Sequence, residues 1–322
     1  MQAPRPGLQR LVIVGLPRSG TTLLAALLGA QPHVHFLTDY FPAFTDALSR
    51  LRKTWTAPLS QSERRIALAV VRDQFLRVRH PVLIKLDGFT SIDQLHQLVV
   101  GELASDADQW VGHKLLMGPE LLRSTLSQTQ MRCLLLLRDP RDAALSYFHR
   151  TGGGVERYLR NWCETVKLWR ELEGHPRLLM LRFEDLIGAP VATLQKLGAW
   201  LGIQVDAEVP ELQFQRSRAH GTTAWRENSA FQDVSARFDR QPLGRWRTLQ
   251  RSPIVRYAGW VARRELARLG YEAPSERLSA RERLSFSCLW ALEVTEHQAY
   301  DSLALTGQWL RRYIEPLSAG ER

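Results

Sequence analysis

LVIVGLPRSGTTLLAALL, residues 11–28, opens with four consecutive apolar residues and closes in a helical run, with a glycine-bearing turn between them. A short apolar run closed by turn residues suits a strand buried on both faces. The turn Gly15-Leu16-Pro17-Arg18-Ser19-Gly20-Thr21-Thr22 has the glycines of a nucleotide-triphosphate loop, G-x-x-x-x-G, yet Thr21 stands where that pattern carries lysine. Backbone N–H groups and the positive end of the helix dipole make such a turn an anion site before any side chain contributes. Gly15 and Gly20 let the backbone come close, Thr21 and Thr22 add hydroxyls, and the cation has moved inside the loop to Arg18. That shift favours a shorter, branched anion over the outer phosphates of a triphosphate.

A second segment has the same build. RCLLLLRDPRDAALSYFHR, residues 132–150, reads as a buried strand ending at Arg138, a turn at Asp139-Pro140, and a helix starting near Arg141 or Asp142. Ser146 and Arg150 lie four apart and share a helix face. Arg138, Ser146 and Arg150 can therefore converge on one phosphate. The competing reading takes Asp139 to a magnesium ion, as in a Walker B strand. Arg138 before it and Arg141 after it make a poor cation site.

Further apolar runs at Val82–Leu86 and Leu178–Phe183 alternate with helical stretches, the pattern of an open α/β sheet whose ligands bind at the strands' carboxyl ends. Residues 40–80 read as mostly helical, a lid or wall with Ile66, Val70 and Leu76 on one side of its clearest helix. Residues 92–104 and 117–129 read as two more helices. Residues 204–250 mix Pro, Gly, Ser and Asn with aromatics and read as a long ordered loop. Helical patterns return from Pro253, broken at 270–274, and Phe286, Leu289, Trp290 and Leu292 cluster in a tail that would cover the sheet or pair subunits.

Of 43 basic residues only five are lysine, and the formal net charge is +10. Arginine's planar fork matches phosphate or sulfate oxygens, so an anionic partner is expected. The arginines form no stripe, which argues against a nucleic-acid-binding protein. Cys133, Cys163 and Cys288 are odd in number and widely spaced, fitting neither disulfides nor zinc, and point to a reducing compartment. His33 and His35 lack a third ligand nearby, so no metal site is expected. No apolar run suits a leader or a membrane span, and the expectation is a soluble, cytoplasmic protein without membrane contact.

PRSGTTLL together with LRDPRDAALSYFHR resembles the two signature segments of the sulfotransferase family, which uses 3′-phosphoadenosine 5′-phosphosulfate. LMLRFEDLIGAPVATLQKLGAWLGI, residues 179–203, is similar to the strand, loop and helix after the second signature, and QPLGRWR, 241–247, to a late Gly-Arg-Trp element. The resemblance runs from about residue 11 to 247 and is closer to the tyrosylprotein and bacterial branches, which carry arginine in the loop. It implies a P-loop-type three-layer α/β fold with a central parallel sheet, in one domain over 1–322. That domain would have a core at about 8–250, a helical lid insert at about 40–112 and a C-terminal helical extension at about 251–322.

The same resemblance implies that Pro17, Arg18, Ser19, Gly20, Thr21 and Thr22 hold the 5′-phosphosulfate. Arg138, Ser146, Arg150 and Arg245 would hold the 3′-phosphate side, and adenosine 3′,5′-bisphosphate would be the product. Sulfuryl transfer needs both partners aligned, the leaving oxygen neutralised and the acceptor deprotonated, with no metal required. Arg18 and Lys114 are the candidate cations. Asp39 is the preferred base and His113 its rival, because neighbours on an extended strand point to opposite faces and His113 adjoins Lys114. Tyr40, Phe41 and Phe44 suit either an aromatic acceptor pocket or core. The acceptor is expected to carry a hydroxyl, as a small molecule, glycan or peptidyl tyrosine, and the C-terminal helices are candidates for a homodimer contact. A P-loop kinase is the alternative enzyme, disfavoured by the missing Walker lysine.

Overall fold

A computed structural model of the chain describes residues 7–40, 43–77, 88–115, 119–152, 154–206, 243–272 and 278–291. Five parallel strands form its sheet: β1 (Gln9–Val14), β2 (Val34–Tyr40), β3 (Trp110–Leu115), β4 (Arg132–Leu137) and β5 (Leu178–Arg182). Their order is β2-β3-β1-β4-β5. The chain leaves β1 toward β2 on one side and leaves β4 toward β5 on the other, so the carboxyl ends of β1 and β4 flank a switch point of the kind where open α/β sheets take ligands.

Residues 11–14 are at most 1% exposed because both faces of β1 are covered. Successive side chains alternate between two cores. Leu11 and Ile13 join Leu134 and Leu136 under α1 (Thr21–Gly29) and α9 (Pro190–Leu201), while Val12 and Val14 join Leu135 and Leu137 under the helices of the opposite face. That opposite layer holds α2 (Ala43–Leu51), α3 (Gln61–Arg77), α4 (Ile92–Leu103), α5 (Pro119–Gln128), α6 (Pro140–Thr151), α7 (Val155–Glu171) and α10 (Pro253–Leu266). The short α8 (Phe183–Gly188) links β5 to α9.

β1, β4 and β5 match the apolar runs of the sequence, except that Phe183 already starts α8. β2 and β3 are strands the sequence did not announce, and the run at 82–86 lies outside the described residues. The helices between β2 and β3 are a wall of the core. Trp55 is fully buried and donates from Nε1 to Thr125 Oγ1 at 2.9 Å, tying this insert to α5. In α3 the buried side is Ala67, Val71 and Phe75, one position round from the expected stripe, and Ile66 is 45% exposed. Tyr257, Ala258 and Phe286 belong to the same core, so the described C-terminal helices pack on this face of the sheet. No helix among the described residues is long and apolar enough to cross a membrane.

Candidate active site

The loop leaving β1 is pressed against β4. A Cβ on Gly15 would stand 2.9 Å from the Leu136 carbonyl oxygen and 2.8 Å from Thr21 Cγ2, so only glycine fits there. Arg18 and Gly20 are left-handed, with φ of 69° and 90°. For arginine that conformation costs about 1–2 kcal/mol, strain stored in the loop. Gly20 is the N-cap of α1, and the Phe183 ring fills the space where its side chain would be. No side chain caps α1 and no acid occupies its first turn. Its leading N–H groups and dipole are thus left to attract an anion.

Cations reach this helix start from three elements. Lys114, buried on β3, donates from Nζ to Thr22 Oγ1 at 2.9 Å. The lysine missing from position 21 is therefore replaced in space by one from the neighbouring strand. Arg18 donates from Nε to Ser146 Oγ at 3.0 Å, and Arg138 donates from Nη1 to the Arg18 carbonyl at 2.9 Å. The Arg138 guanidinium also lies 4.6 Å from the centre of the Phe183 ring. Burial, then the charges of Arg138 and Arg150, lower the pKa of Arg18 from its ordinary value. The structure thus brings Pro17–Thr22, Lys114, Arg138 and Ser146 together, with Arg150 exposed one turn beyond Ser146.

In the second turn the Asp139 carboxylate is taken up by the turn's own residues. Asp139 caps α6 through Arg141 N–H at 2.9 Å and also accepts the Arg141 guanidinium at Nε, 2.9 Å, and Nη2, 2.7 Å. Asp139 N–H donates to Glu184 Oε1 at 2.9 Å, and Tyr271 Oη to Glu184 Oε2 at 3.0 Å. Burial raises the carboxyl pKa of Glu184 and of Asp142. With a bidentate arginine on it, Asp139 is committed to an ion pair, against the Walker B reading. Among the described residues no group of three His, Cys, Asp or Glu is placed to hold a metal.

Asp142 accepts N–H groups from Gly244, 2.7 Å, and Trp246, 2.8 Å. It docks the 3₁₀ turn Arg245–Arg247 on α6, with Trp246 3.5 Å below the Arg141 guanidinium. Arg245 is exposed on that turn.

His113 does not join the loop. It points to the opposite face of β3, 1% exposed, with Nε2 2.7 Å from His96 Nε2. His96 Nδ1 is 3.2 Å from Arg10 Nη1, which pairs with Asp93 at 2.6 Å. Burial holds His113 down to about 3 and His96 well below the ordinary imidazole range, so both rings are neutral. Phe44 packs on both rings and is core, which removes it from an acceptor pocket. Asp39 sits on β2 in the irregular step between Leu37, opposite His113, and Tyr40, opposite Lys114.

Three aromatics absent from the sequence candidates complete the site. Phe183 underlies Gly20 and Arg138. Trp162 donates from Nε1 to the Arg138 carbonyl at 3.0 Å. Tyr158, one helical turn before Trp162, lies beside Ser19, Arg18 and Arg138. The spacing of Tyr158 and Trp162 marks one face of α7, and this was the available signal.

A family profile described as "Sulfotransferase family" matches residues 10–207. Among solved structures, the sulfotransferase domain from the curacin biosynthetic pathway is similar with a TM-score of 0.54 and 16% identity, covering 83% of this chain and 99% of that one. The sulfotransferase domain of the Synechococcus PCC 7002 olefin synthase gives 0.51 and 14%, covering 91% and 98%. The mouse sulfotransferase SULT7A1, solved in complex with PAP, gives 0.45 and 17%, covering 87% and 88%. The first two likenesses bear on the fold, whereas the profile spans both signature segments and most of the sheet. The chain belongs to the sulfotransferase family.

Proposed function

We propose that the donor of this sulfotransferase is 3′-phosphoadenosine 5′-phosphosulfate and that it lies across the switch point, phosphosulfate in the Pro17–Thr22 loop and 3′-phosphate toward Arg138, Ser146 and Arg150. The observation that carries this is the pair of hydrogen bonds joining the two signatures, Arg18 to Ser146 and Arg138 to the Arg18 carbonyl. The donor set fits a nucleotide with an anionic group at each end: an uncapped helix start, two hydroxyls and cations from three elements. Arg18 Nε uses a lone pair of Ser146 Oγ and leaves its O–H to donate to a phosphate oxygen.

The bound donor supplies an activated sulfuryl group, whose sulfur–oxygen bond to the phosphate breaks as a bond to the acceptor oxygen forms. Lys114 and Arg18 stand where charge develops on departure, in a partly buried setting that strengthens them. Asp39 is the base of this reading, since its backbone lies at the strand step facing Lys114. His113 is turned away and held neutral against His96. The acceptor is a hydroxyl compound. Titration with adenosine 3′,5′-bisphosphate tests the donor assignment. Micromolar binding without magnesium, weakened at least tenfold in Arg138→Ala, is expected; preference for ATP with magnesium would overturn it in favour of a kinase.

A further inference from the structure

Tyr158 occupies the first turns of α7, with its ring stacked on Tyr147, centroids 4.8 Å apart and planes 30° apart. The residue is 3% exposed, and its hydroxyl is fully buried without a hydrogen bond of normal geometry. Ser19 of the loop neighbours that hydroxyl, and the charges of Arg138 and Arg18 reach it. Guanidinium groups only donate, so neither offers the phenol O–H an acceptor. A buried hydroxyl left unsatisfied costs about 1–3 kcal/mol, which phenylalanine at the same place would avoid.

The surroundings therefore explain the ring of Tyr158, while its oxygen has only Ser19 beside it and no hydrogen bond of normal geometry. Burial pushes the phenol well above its ordinary range, so the group is a neutral donor and no base. Two guanidinium groups that only donate, and a serine hydroxyl that does both, leave this corner rich in donors, and an acceptor that carries negative charge completes it. We infer that the Tyr158 hydroxyl is a ligand for the anion held by the loop, donating to a phosphate or sulfate oxygen of the donor nucleotide. This rests on the donor assignment above, with which it shares the loop.

The test measures two quantities of opposite expected sign. Adenosine 3′,5′-bisphosphate is titrated calorimetrically into the wild-type chain and Tyr158→Phe, and both are melted without ligand. Affinity falls about tenfold or more in the variant, the worth of a hydrogen bond to a charged group. The melting midpoint of the ligand-free variant stays level or rises, because an unsatisfied hydroxyl has been removed. Equal affinities overturn the inference and leave the donor assignment standing. A lower midpoint together with weaker binding also overturns it, by making the hydroxyl a structural group. A wild-type chain that does not bind the nucleotide overturns the donor assignment and this inference with it.

Discussion

Two strand-turn-helix units meet at the centre of the sheet, β1 running into α1 and β4 running into α6, and their helix starts are finished in opposite ways. At α1 there is no side-chain cap and no acid in the first turn, and Lys114, Arg18 and Arg138 gather round it. At α6 Pro140 opens the helix, Asp139 caps it, Asp142 sits in the first turn, and Arg141 is closed into a buried ion pair. One start carries no acid of its own and gathers cations from its neighbours. The other is neutralised from within and works as a fastening for distant segments. Charge removed from the first should therefore cost function, and charge removed from the second should cost stability.

The largest effect falls on the second turn. Asp139→Ala leaves the Arg141 guanidinium, with 2% of its side chain exposed, without the carboxylate that holds it. Removing one partner of a buried pair costs about 3–5 kcal/mol. Denaturant unfolding should show that loss, while the fraction that stays folded still binds adenosine 3′,5′-bisphosphate. Unchanged stability would mean that the two turns do not differ as described.

At the first turn the expected order is reversed. Lys114→Ala removes one of the cations gathered at this start together with its hydrogen bond to Thr22, so stability should fall by less than in Asp139→Ala. Turnover should fall by about 10²–10³, the worth of one group that stabilises developing charge, or about 2.7–4 kcal/mol. Single-turnover rates with saturating donor measure this. A variant that keeps its rate but melts early would make Lys114 a packing residue of β3.

Much of this contrast was legible in the chain, and the rest was not, for a physical reason. Arg18 and the glycines of its loop, and Arg138 with Ser146, stand out because local spacing decides what a turn or a helix face can gather. β1 and β4 were visible because a strand covered on both faces must be apolar throughout. β3, Trp-Val-Gly-His-Lys-Leu, hides its strand character because it carries a cation toward the loop on one face and a histidine into a buried polar chain on the other. Lys114 reaches Thr22 only because β3 lies beside β1, and strand order is not written in local pattern. The partners of Asp139 and Asp142 come from residues 184, 244 and 246, and contacts at such separation have no signature in either segment alone.

The smallest effect sharpens the contrast within α6 itself. Asp142 stands one turn before Ser146 on the same face, and its two backbone hydrogen bonds hold the Arg245–Arg247 turn beside that end of the site. Burial raises its carboxyl pKa above the ordinary 3.8. An acid whose folded pKa lies above its unfolded value costs stability when ionised, and that cost is present at every pH above the folded value. Asp142→Asn gives up the charge and returns that cost, but its amide accepts only one of the two N–H groups and turns an N–H toward the other. One lost hydrogen bond is worth about 1 kcal/mol, roughly fivefold in an equilibrium. The dissociation constant for adenosine 3′,5′-bisphosphate should therefore rise about fivefold, with the melting midpoint nearly unchanged and the rate at saturating donor retained. Stability lost in step with affinity would place Asp142 with Asp139 as an internal fastening, and the functional half of the contrast would then end at Ser146.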